Sequence, residues 1–245
     1  MIASQLVAHR GWQNRYPENS FIAIQKALQA GAQHIEIDVQ LSSDGHLVLC
    51  HDRDLKRLTG QVGLVDKMTW QQLQQRSFYE PERLGEAFLS NPICSLDQCI
   101  ALIAQHPTAT LYVEIKRSSL KAFSRERVLD TLLPKLADIA GQAIIISFDY
   151  QVLRLAQRHY GYSRIGPVAR QWQDCVDGSF DDLAAEVIFC DAEIVPDNVD
   201  LSLFNSGFVI YEIADIDGVY HWLARGAQLV ETFCIGELIS QQATR

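Results

Sequence analysis

Strand-like segments alternate with helical patterns through most of the chain, and this rhythm constrains the fold more than any other feature. Eight segments are predicted as strands, at residues 6–8, 34–40, 111–116, 143–148, 164–168, 186–190, 208–212 and 228–232. Apolar residues recur every three to four positions between most of them, which indicates helices. Strands joined through helices pair in parallel with right-handed crossovers. Eight such units predict an α/β fold, a closed (β/α)8 TIM barrel.

An open, doubly wound sheet is the structural alternative to the barrel. It would be favoured by a glycine-rich phosphate loop after the first strand, but the sequence contains neither a GxGxxG nor a Walker pattern. A chain of 245 residues also has the usual size of one barrel. We therefore predict a single domain over residues 1–245. Residues 53–92, which are polar and aromatic without a strong strand, are predicted as a small insertion after the second strand segment.

The chain is acidic, with a formal net charge of −9. Nucleic-acid binding requires basic surface, so the charge argues against a nucleic-acid partner and, more weakly, against docking on anionic membranes. The amino terminus lacks the pattern of a signal peptide, and no apolar run approaches the ~20 residues of a membrane span. The six cysteines form no CxxC pair, which is typical of reduced, buried thiols. These features predict a cytoplasmic protein without an integral membrane segment.

Two carboxylates share one face of the second predicted strand. Residues two apart in a strand point the same way, so Glu36 and Asp38 lie together, opposite an apolar face of Ile and Val. In a barrel the apolar face meets the helices and the carboxylates point inward. Such close carboxylates repel unless a cation lies between them, either a hard ion such as Mg²⁺ or Ca²⁺ or a neighbouring Arg or Lys. Glu114 and Lys116 repeat the two-residue spacing of polar side chains on one face of a strand. They can serve as a third metal ligand and a phosphate-binding cation, or they can form a simple ion pair.

Histidines end two other extended segments. His9 is followed by Arg10, and His51 by Asp52. Cleaving a phosphodiester requires one group that deprotonates the nucleophile and another that protonates the leaving alkoxide, and histidine suits both tasks near neutral pH. Arg10 can hold a phosphate oxygen with two hydrogen bonds, while Asp52 can orient a histidine or cap the following turn. The other five histidines have no such setting and are interpreted as structural, as are residues 17–20 at the start of the first helix.

Together, these motifs resemble those of the glycerophosphodiester phosphodiesterase family. The order and spacing match over about residues 1–120, and the combination is highly specific. The matching motifs are His9-Arg10-Gly11, Pro17-Glu18-Asn19-Ser20, Glu36-x-Asp38, Asp44-Gly45, His51-Asp52 and Glu114-Ile115-Lys116.

The resemblance implies a TIM barrel that hydrolyses glycerophosphodiesters to sn-glycerol 3-phosphate and an alcohol. It implies His9 and His51 as the acid–base pair, with Arg10 and Lys116 at the phosphate. It also implies a divalent metal, Mg²⁺ or Ca²⁺, on Glu36, Asp38 and Glu114. The expected partner is a small-molecule substrate such as glycerophosphocholine or glycerophosphoethanolamine, and a homodimer is compatible with the sequence.

The carboxyl-terminal end departs from the family pattern. Where many members carry a W/Y-T-V-N-like segment and a T-D-x-P-like end, this chain has Tyr211-Glu212-Ile213-Ala214 and Thr232-Phe233-Cys234-Ile235. Tyr211 keeps the aromatic and is expected to bind substrate, whereas Glu212 and Glu231 are new acids. These changes bear on substrate choice more than on chemistry. They leave open a lysophospholipase D or other lipid phosphodiesterase on the same fold, and a non-catalytic barrel that binds a phosphate ligand.

Overall fold

A ring of parallel strands forms the centre of the protein in the computed structural model, which describes residues 2–242. The strands are β1 (Leu6–Ala8), β2 (His34–Leu41), β3 (Leu47–Leu49), β4 (Thr110–Ile115), β5 (Ala143–Ser147), β6 (Ile165–Pro167), β7 (Val187–Asp191), β8 (Gly207–Tyr211) and β9 (Leu229–Thr232). β3 pairs with β2 antiparallel, and the other strands follow the order β6-β5-β4-β2-β1-β9-β8-β7. A parallel bridge between Val168 and Phe189 joins the two ends of this order. The predicted (β/α)8 TIM barrel is therefore confirmed.

Helices connect most of the strands, as the apolar periodicity predicts. Within residues 2–242 they are α1 (Phe21–Gln29), α2 (Lys56–Thr59), α3 (Trp70–Gln74), α4 (Pro81–Leu84), α5 (Leu96–Ile103), α6 (Arg117–Ala122), α7 (Arg125–Leu136), α8 (Tyr150–Tyr160), α9 (Ile216–Ala224) and α10 (Ile235–Gln242). Ser20 and Ser95 cap α1 and α5, since each side chain accepts a hydrogen bond from the amide three residues later. The crossovers after β6 and β7 contain only short 3₁₀ turns. None of the described helices has both the length and the apolar character needed to cross a bilayer.

The two faces of the strands belong to separate apolar layers. On β2, Ile35, Ile37 and Val39 belong to the large core that also contains the helix side chains, as the alternation predicts. A second cluster fills the barrel interior and includes Tyr112. On β4, Glu114 follows Tyr112 by two residues and pairs in register with Asp38. The interior thus changes from apolar to ionic toward the carboxyl ends of the strands, where TIM-barrel sites lie.

Residues 53–92, the predicted insertion, pack as short elements beside β3. They contain α2, α3, α4 and a 3₁₀ turn at Val65–Lys67. A separate apolar cluster joins them to the barrel, with Val48, Cys50, Leu55, Leu58, Val65, Leu73, Phe78 and Ile93 as its buried members. β3 is therefore held on one side by β2 and on the other by the insertion, which fixes the chain just before His51.

Candidate active site

Seven of the eight residues singled out from the sequence line one small cavity at the carboxyl ends of the strands. This inner cavity has a volume of about 130 Å³ and is lined by His9, Arg10, Glu36, His51, Glu114, Lys116 and Tyr211 together with four further residues of the apolar wall and two acids. The eighth residue, Asp38, is fully buried and in contact with Arg10 and Lys116. The structure thus brings together side chains from five strand ends that are far apart in the sequence.

The turn after β1 has a conformation that its sequence explains. Gly11 has a φ of +80°, and a Cβ there would lie 2.6 Å from the carbonyl carbon of Ala23, so only glycine allows the turn to approach α1 this closely. Arg10 has a φ of +54°, an uncommon value that is often found at functional sites. Its amide donates to Glu36 Oε2 at 3.0 Å, and its carbonyl accepts from the Asn19 amide at 3.0 Å. These two bonds hold Arg10 at the edge of the barrel interior.

Asp38 lies between two cations. Its Oδ2 is 2.9 Å from Arg10 Nε, and its Oδ1 is 3.0 Å from Lys116 Nζ. The Asn19 side chain donates to Oδ2 at 2.8 Å and accepts from the Asp38 amide at 3.0 Å. Burial acts to raise the pKa of Asp38, but Lys116 and Arg10 outweigh it, and the pKa is lowered. Asp38 is therefore ionised at neutral pH.

The negative charges of Glu36 and Glu114 are less fully neutralised by neighbouring cations than that of Asp38. Glu36 Oε1 has no hydrogen-bond partner among the described residues. Burial, with the charge of Asp38 added to it, raises the pKa of Glu36 well above its ordinary value. Glu114 is 2.8 Å from Lys116 Nζ, yet burial still raises its pKa. Three carboxylates therefore meet only two permanent cations.

This carboxylate group fits a hard divalent cation. One oxygen each from Glu36, Asp38 and Glu114 lies within 4.8 Å of the others, close enough for all three to reach one ion at the ~2.0–2.6 Å typical of Mg²⁺ and Ca²⁺. The free Oε1 of Glu36 supplies a lone pair that no described residue uses. Carboxylate oxygens are also the ligands that both ions prefer.

The two histidines differ in their surroundings. The His9 ring is buried, with Nε2 3.9 Å from Glu36 Oε2 and Nδ1 3.9 Å from Glu212 Oε1, so neither nitrogen forms a hydrogen bond with them. Burial and the neighbouring Arg10 charge lower the pKa of His9 well below its usual value, so the ring is neutral at pH 7. His51 Nδ1 lies 2.7 Å from Asp52 Oδ1. Of the two roles considered for Asp52, the structure shows contact with the histidine, which leaves Nε2 for a substrate.

A chain of alternating positive and negative side chains connects the regions around His9 and His51. The sequence did not predict this chain of ion pairs. Asp52 accepts from Arg57 Nε at 2.7 Å, Arg57 donates twice to Glu18 at 2.8 Å, and Glu18 accepts from Arg10 at 3.2 Å. Glu18 and Asn19 lie in the segment 17–20 that was interpreted as structural only. The segment does start α1, but these two side chains also support the site. Arg57 comes from α2, so the insertion contributes to it as well.

Gln40 holds the His51 loop in place. Its side chain is buried, and Nε2 donates to the carbonyls of Cys50, His51 and Asp52 at 2.8, 3.1 and 2.9 Å. Its Oε1 accepts from Ser118 Oγ at 2.7 Å. One amide thereby ties the loop to the start of α6. The signal for it in the sequence was weak, since Gln40 shares only the alternation of Glu36 and Asp38.

The opposite wall of the inner cavity is apolar. It consists of Ile146, Phe148, Val168, Phe189 and the ring of Tyr211. Glu212 and Glu231, the two acids that depart from the family pattern, lie beside it. Glu231 is buried, its Oε1 has no partner within residues 2–242, and burial raises its pKa well above the ordinary value. Apolar surface beside oxygen acceptors suits a small polyol.

A larger outer cavity, of about 930 Å³, opens beside the inner one. The two cavities share His51, Glu114, Lys116 and Phe148. The rest of the outer wall comes from the insertion and from α6, through Asp52, Arg53, Asp66, Lys67, Arg117, Ser118, Lys121 and Ala122. A diester that joins two different groups would place its phosphate at the junction, beside His51 and Lys116.

The fold and site define a TIM-barrel protein with an ionic pocket at the carboxyl ends of its strands, and comparison with known proteins agrees. The chain belongs to the glycerophosphoryl diester phosphodiesterase family, whose model matches residues 9–191. A glycerophosphodiester phosphodiesterase of Caldanaerobacter subterraneus subsp. tengcongensis is 31% identical over 161 residues, which are 66% of this chain and 65% of that protein. One from Bacillus altitudinis is 37% identical over 119 residues, 47% of this chain and 46% of that protein. The matches thus span about half to two thirds of these curated relatives.

Solved structures agree on the fold. An Oleispira antarctica phosphodiesterase in complex with the product sn-glycerol-3-phosphate superposes with a TM-score of 0.85 at 22% identity, over 98% of this chain and 96% of that chain. A glycerophosphodiester phosphodiesterase from Thermotoga maritima gives a TM-score of 0.73 at 20% identity, over 97% and 98%.

Proposed function

We propose that this protein is a metal-dependent phosphodiesterase that hydrolyses glycerophosphodiesters to sn-glycerol 3-phosphate and an alcohol. The observation that carries the proposal is the convergence of His9 and His51 on one cavity that lies beside the three-carboxylate group. The names of the curated relatives support the reaction. The product bound to the Oleispira antarctica enzyme supports the glycerol 3-phosphate half of the substrate.

The two cavities assign the two halves of the diester. The inner cavity is smaller than the ~300–1,000 Å³ of most ligand pockets, so it takes the small glycerol group. Tyr211 supplies apolar contact there, and the free oxygen of Glu231 accepts a hydrogen bond from a glycerol hydroxyl. The alcohol that leaves occupies the outer cavity. The phosphate between them lies near Lys116 and Arg10, whose charges attract its oxygens.

The positions of the histidines support different roles for the two rings. His9 borders only the inner cavity and is neutral at pH 7, so it accepts the proton of the attacking oxygen, from water or from a neighbouring glycerol hydroxyl. Attack by the hydroxyl forms a cyclic phosphate, which water then opens to sn-glycerol 3-phosphate. His51 borders both cavities and donates a proton to the leaving alkoxide as the phosphorus–oxygen bond breaks. Asp52 orients its ring, and Gln40 fixes its backbone. Mg²⁺ or Ca²⁺ on Glu36, Asp38 and Glu114 would stabilise negative charge on the phosphoryl oxygens and lower the pKa of the nucleophile.

The lysophospholipase D alternative requires an apolar groove for an acyl chain. The outer cavity, where the described chain has room for a large group, has only Ala122 and Phe148 as apolar lining residues. An acyl chain there would contact charged side chains, which is unfavourable. The structure therefore favours water-soluble diesters.

The test is release of glycerol 3-phosphate from glycerophosphoethanolamine and glycerophosphocholine, with Mg²⁺, with Ca²⁺ and with EDTA. We expect turnover that EDTA abolishes and that His9→Ala lowers by about 10²–10⁴-fold. His34→Ala is the matched control, because His34 lies at the amino end of β2, away from both cavities. If neither metal supports turnover above the His9→Ala variant, the proposed function is wrong.

A further inference from the structure

The outer cavity carries a surplus of positive charge. Its lining contains five cations, Arg53, Lys67, Lys116, Arg117 and Lys121, against three carboxylates, Asp52, Asp66 and Glu114. The formal sum is therefore +5 − 3 = +2, in a chain whose net charge is −9. The surplus therefore does not follow from the overall composition.

The carboxylates of this cavity are already engaged. Asp66 accepts from Arg53 at 2.7 and 3.0 Å and also lies 3.6 Å from Lys67 Nζ. Glu114 contacts Lys116 at 2.8 Å. Asp52 is bound by Arg57 and His51, both at 2.7 Å. None of the three carboxylates therefore neutralises the remaining cations on α6.

Arg117 and Lys121 are the cations left without a counter-charge. Neither has a carboxylate within 4.0 Å among residues 2–242. The Arg117 guanidinium instead lies over the Phe148 ring, 5.6 Å from its centre, which keeps it beside the junction of the two cavities. Both side chains are exposed, so their N–H groups are available to a ligand in the cavity.

We propose that the preferred substrate is a glycerophosphodiester whose leaving alcohol bears a second anionic group, a carboxylate or a phosphate, which Arg117 and Lys121 bind. The inference rests on the proposed function, since it concerns the alcohol side of that diester. The anion gains charge-assisted hydrogen bonds in this cavity. A quaternary ammonium such as choline meets like charge there and binds more weakly.

The test compares glycerophosphoserine with glycerophosphoethanolamine, two diesters that differ by one carboxylate. We expect the wild type to favour the serine diester by about tenfold in kcat/KM, and this ratio to fall toward one in Arg117→Gln/Lys121→Gln. Raised salt should also shrink the ratio, because the contact is exposed. Lys26→Gln/Lys56→Gln changes the net charge equally but lies outside both cavities, so it should keep the wild-type ratio.

A second pair separates phosphate from carboxylate recognition. Bis(glycerophospho)glycerol adds a phosphodiester to glycerophosphoglycerol, and we expect the same direction of preference. Equal kcat/KM within both pairs, or a ratio that Arg117→Gln/Lys121→Gln does not change, would overturn the inference.

Binding distinguishes failure of the inference from failure of the proposed function. Calorimetric titration of His9→Ala in EDTA, where we expect no turnover, should give a Kd about tenfold lower for glycerophosphoserine than for glycerophosphoethanolamine. A protein that releases glycerol 3-phosphate from neither diester but shows this difference in Kd would contradict the function and not the anion site. Equal Kd values would contradict the anion site whether or not turnover occurs.

Discussion

The two halves of the barrel mouth are built on the same backbone plan but have opposite chemistry. The ends of β1, β2 and β4 carry charged residues that contact one another, with Asp38 between Arg10 and Lys116. The ends of β5 to β8 carry Ile146, Phe148, Val168, Phe189 and Tyr211. The ionic half can hold a phosphate and move protons, and the apolar half can only shape the space beside it. Separating these tasks allows substrate choice to change while the reacting groups stay in place.

The largest expected effect on stability and activity comes from removing the charge at the centre of the ionic half. Asp38→Asn leaves Arg10 and Lys116 buried without their common anion, and we expect a loss of about 3 kcal/mol in the free energy of unfolding together with loss of turnover. Urea denaturation and the glycerol 3-phosphate assay measure the two effects. Asp97→Asn removes an exposed pair with Lys135 and should cost less than about 1 kcal/mol. Similar losses in both variants would show that Asp38 is an ordinary ion-pair partner.

A second comparison separates the effect of a side chain on the position of catalytic groups from its effect on the stability of the fold. Gln40 and Gln142 each donate to three backbone carbonyls, Gln40 at the His51 loop and Gln142 at Ile103, His106 and Ala109. Replacing either by Met leaves carbonyls without a donor, so both variants should lose about 1–3 kcal/mol of stability. Only Gln40→Met should also lower kcat, by about tenfold, with KM less affected. Equal kcat values in the two variants would remove Gln40 from the site.

Glu231 is an acid beside the apolar wall, and its raised pKa gives a prediction with a definite sign. The folded state holds the Glu231 proton more tightly than the unfolded chain, so its contribution to stability is present below the unfolded pKa and is lost as pH rises through the folded pKa. Glu231→Gln should therefore be more stable than wild type at pH 8 in EDTA, by on the order of 1 kcal/mol, with a smaller gap at pH 4.

Glu237 provides the control of opposite sign. Burial acts to raise its pKa, but the hydrogen bonds from Arg15, Trp12 and its own backbone amide, together with the Arg15 charge, outweigh burial and the pKa is lowered. Glu237→Gln should therefore lose stability at pH 8 and approach wild type as pH falls. Urea denaturation at both pH values measures both variants. A destabilised Glu231→Gln at pH 8 would mean that this carboxylate is fully compensated.

The smallest effect should come from the apolar half. Tyr211→Leu removes part of the wall that we propose packs against glycerol, and we expect KM to rise about fivefold, the equivalent of ~1 kcal/mol of apolar contact, with little change in kcat. Steady-state kinetics on glycerophosphoethanolamine provides the measurement. A loss in kcat instead would place Tyr211 among the groups that act on the reacting atoms and would weaken the division between the halves.

The sequence predicted the fold well because the signals are local. The alternation on β2 assigned Ile35 to the outer core and Glu36 to the interior, and the structure confirms both. The family resemblance also grouped His9 and His51 with those carboxylates, and both histidines border the inner cavity. The sequence did not predict the second role of Glu18 and Asn19, whose local pattern is that of a helix start.

What the sequence by itself determined is therefore the barrel, the inward face of β2 and β4 and the motif residues that meet at the mouth, because these follow from short-range periodicity and from motifs. Only the tertiary structure decided which charges pair, since Glu18 meets Arg57 through contacts 39 residues apart. It also decided that Gln40 holds the His51 loop and that the insertion and α6 enclose a cationic cavity. Such contacts depend on how distant segments pack in space, and no local sequence pattern predicts them.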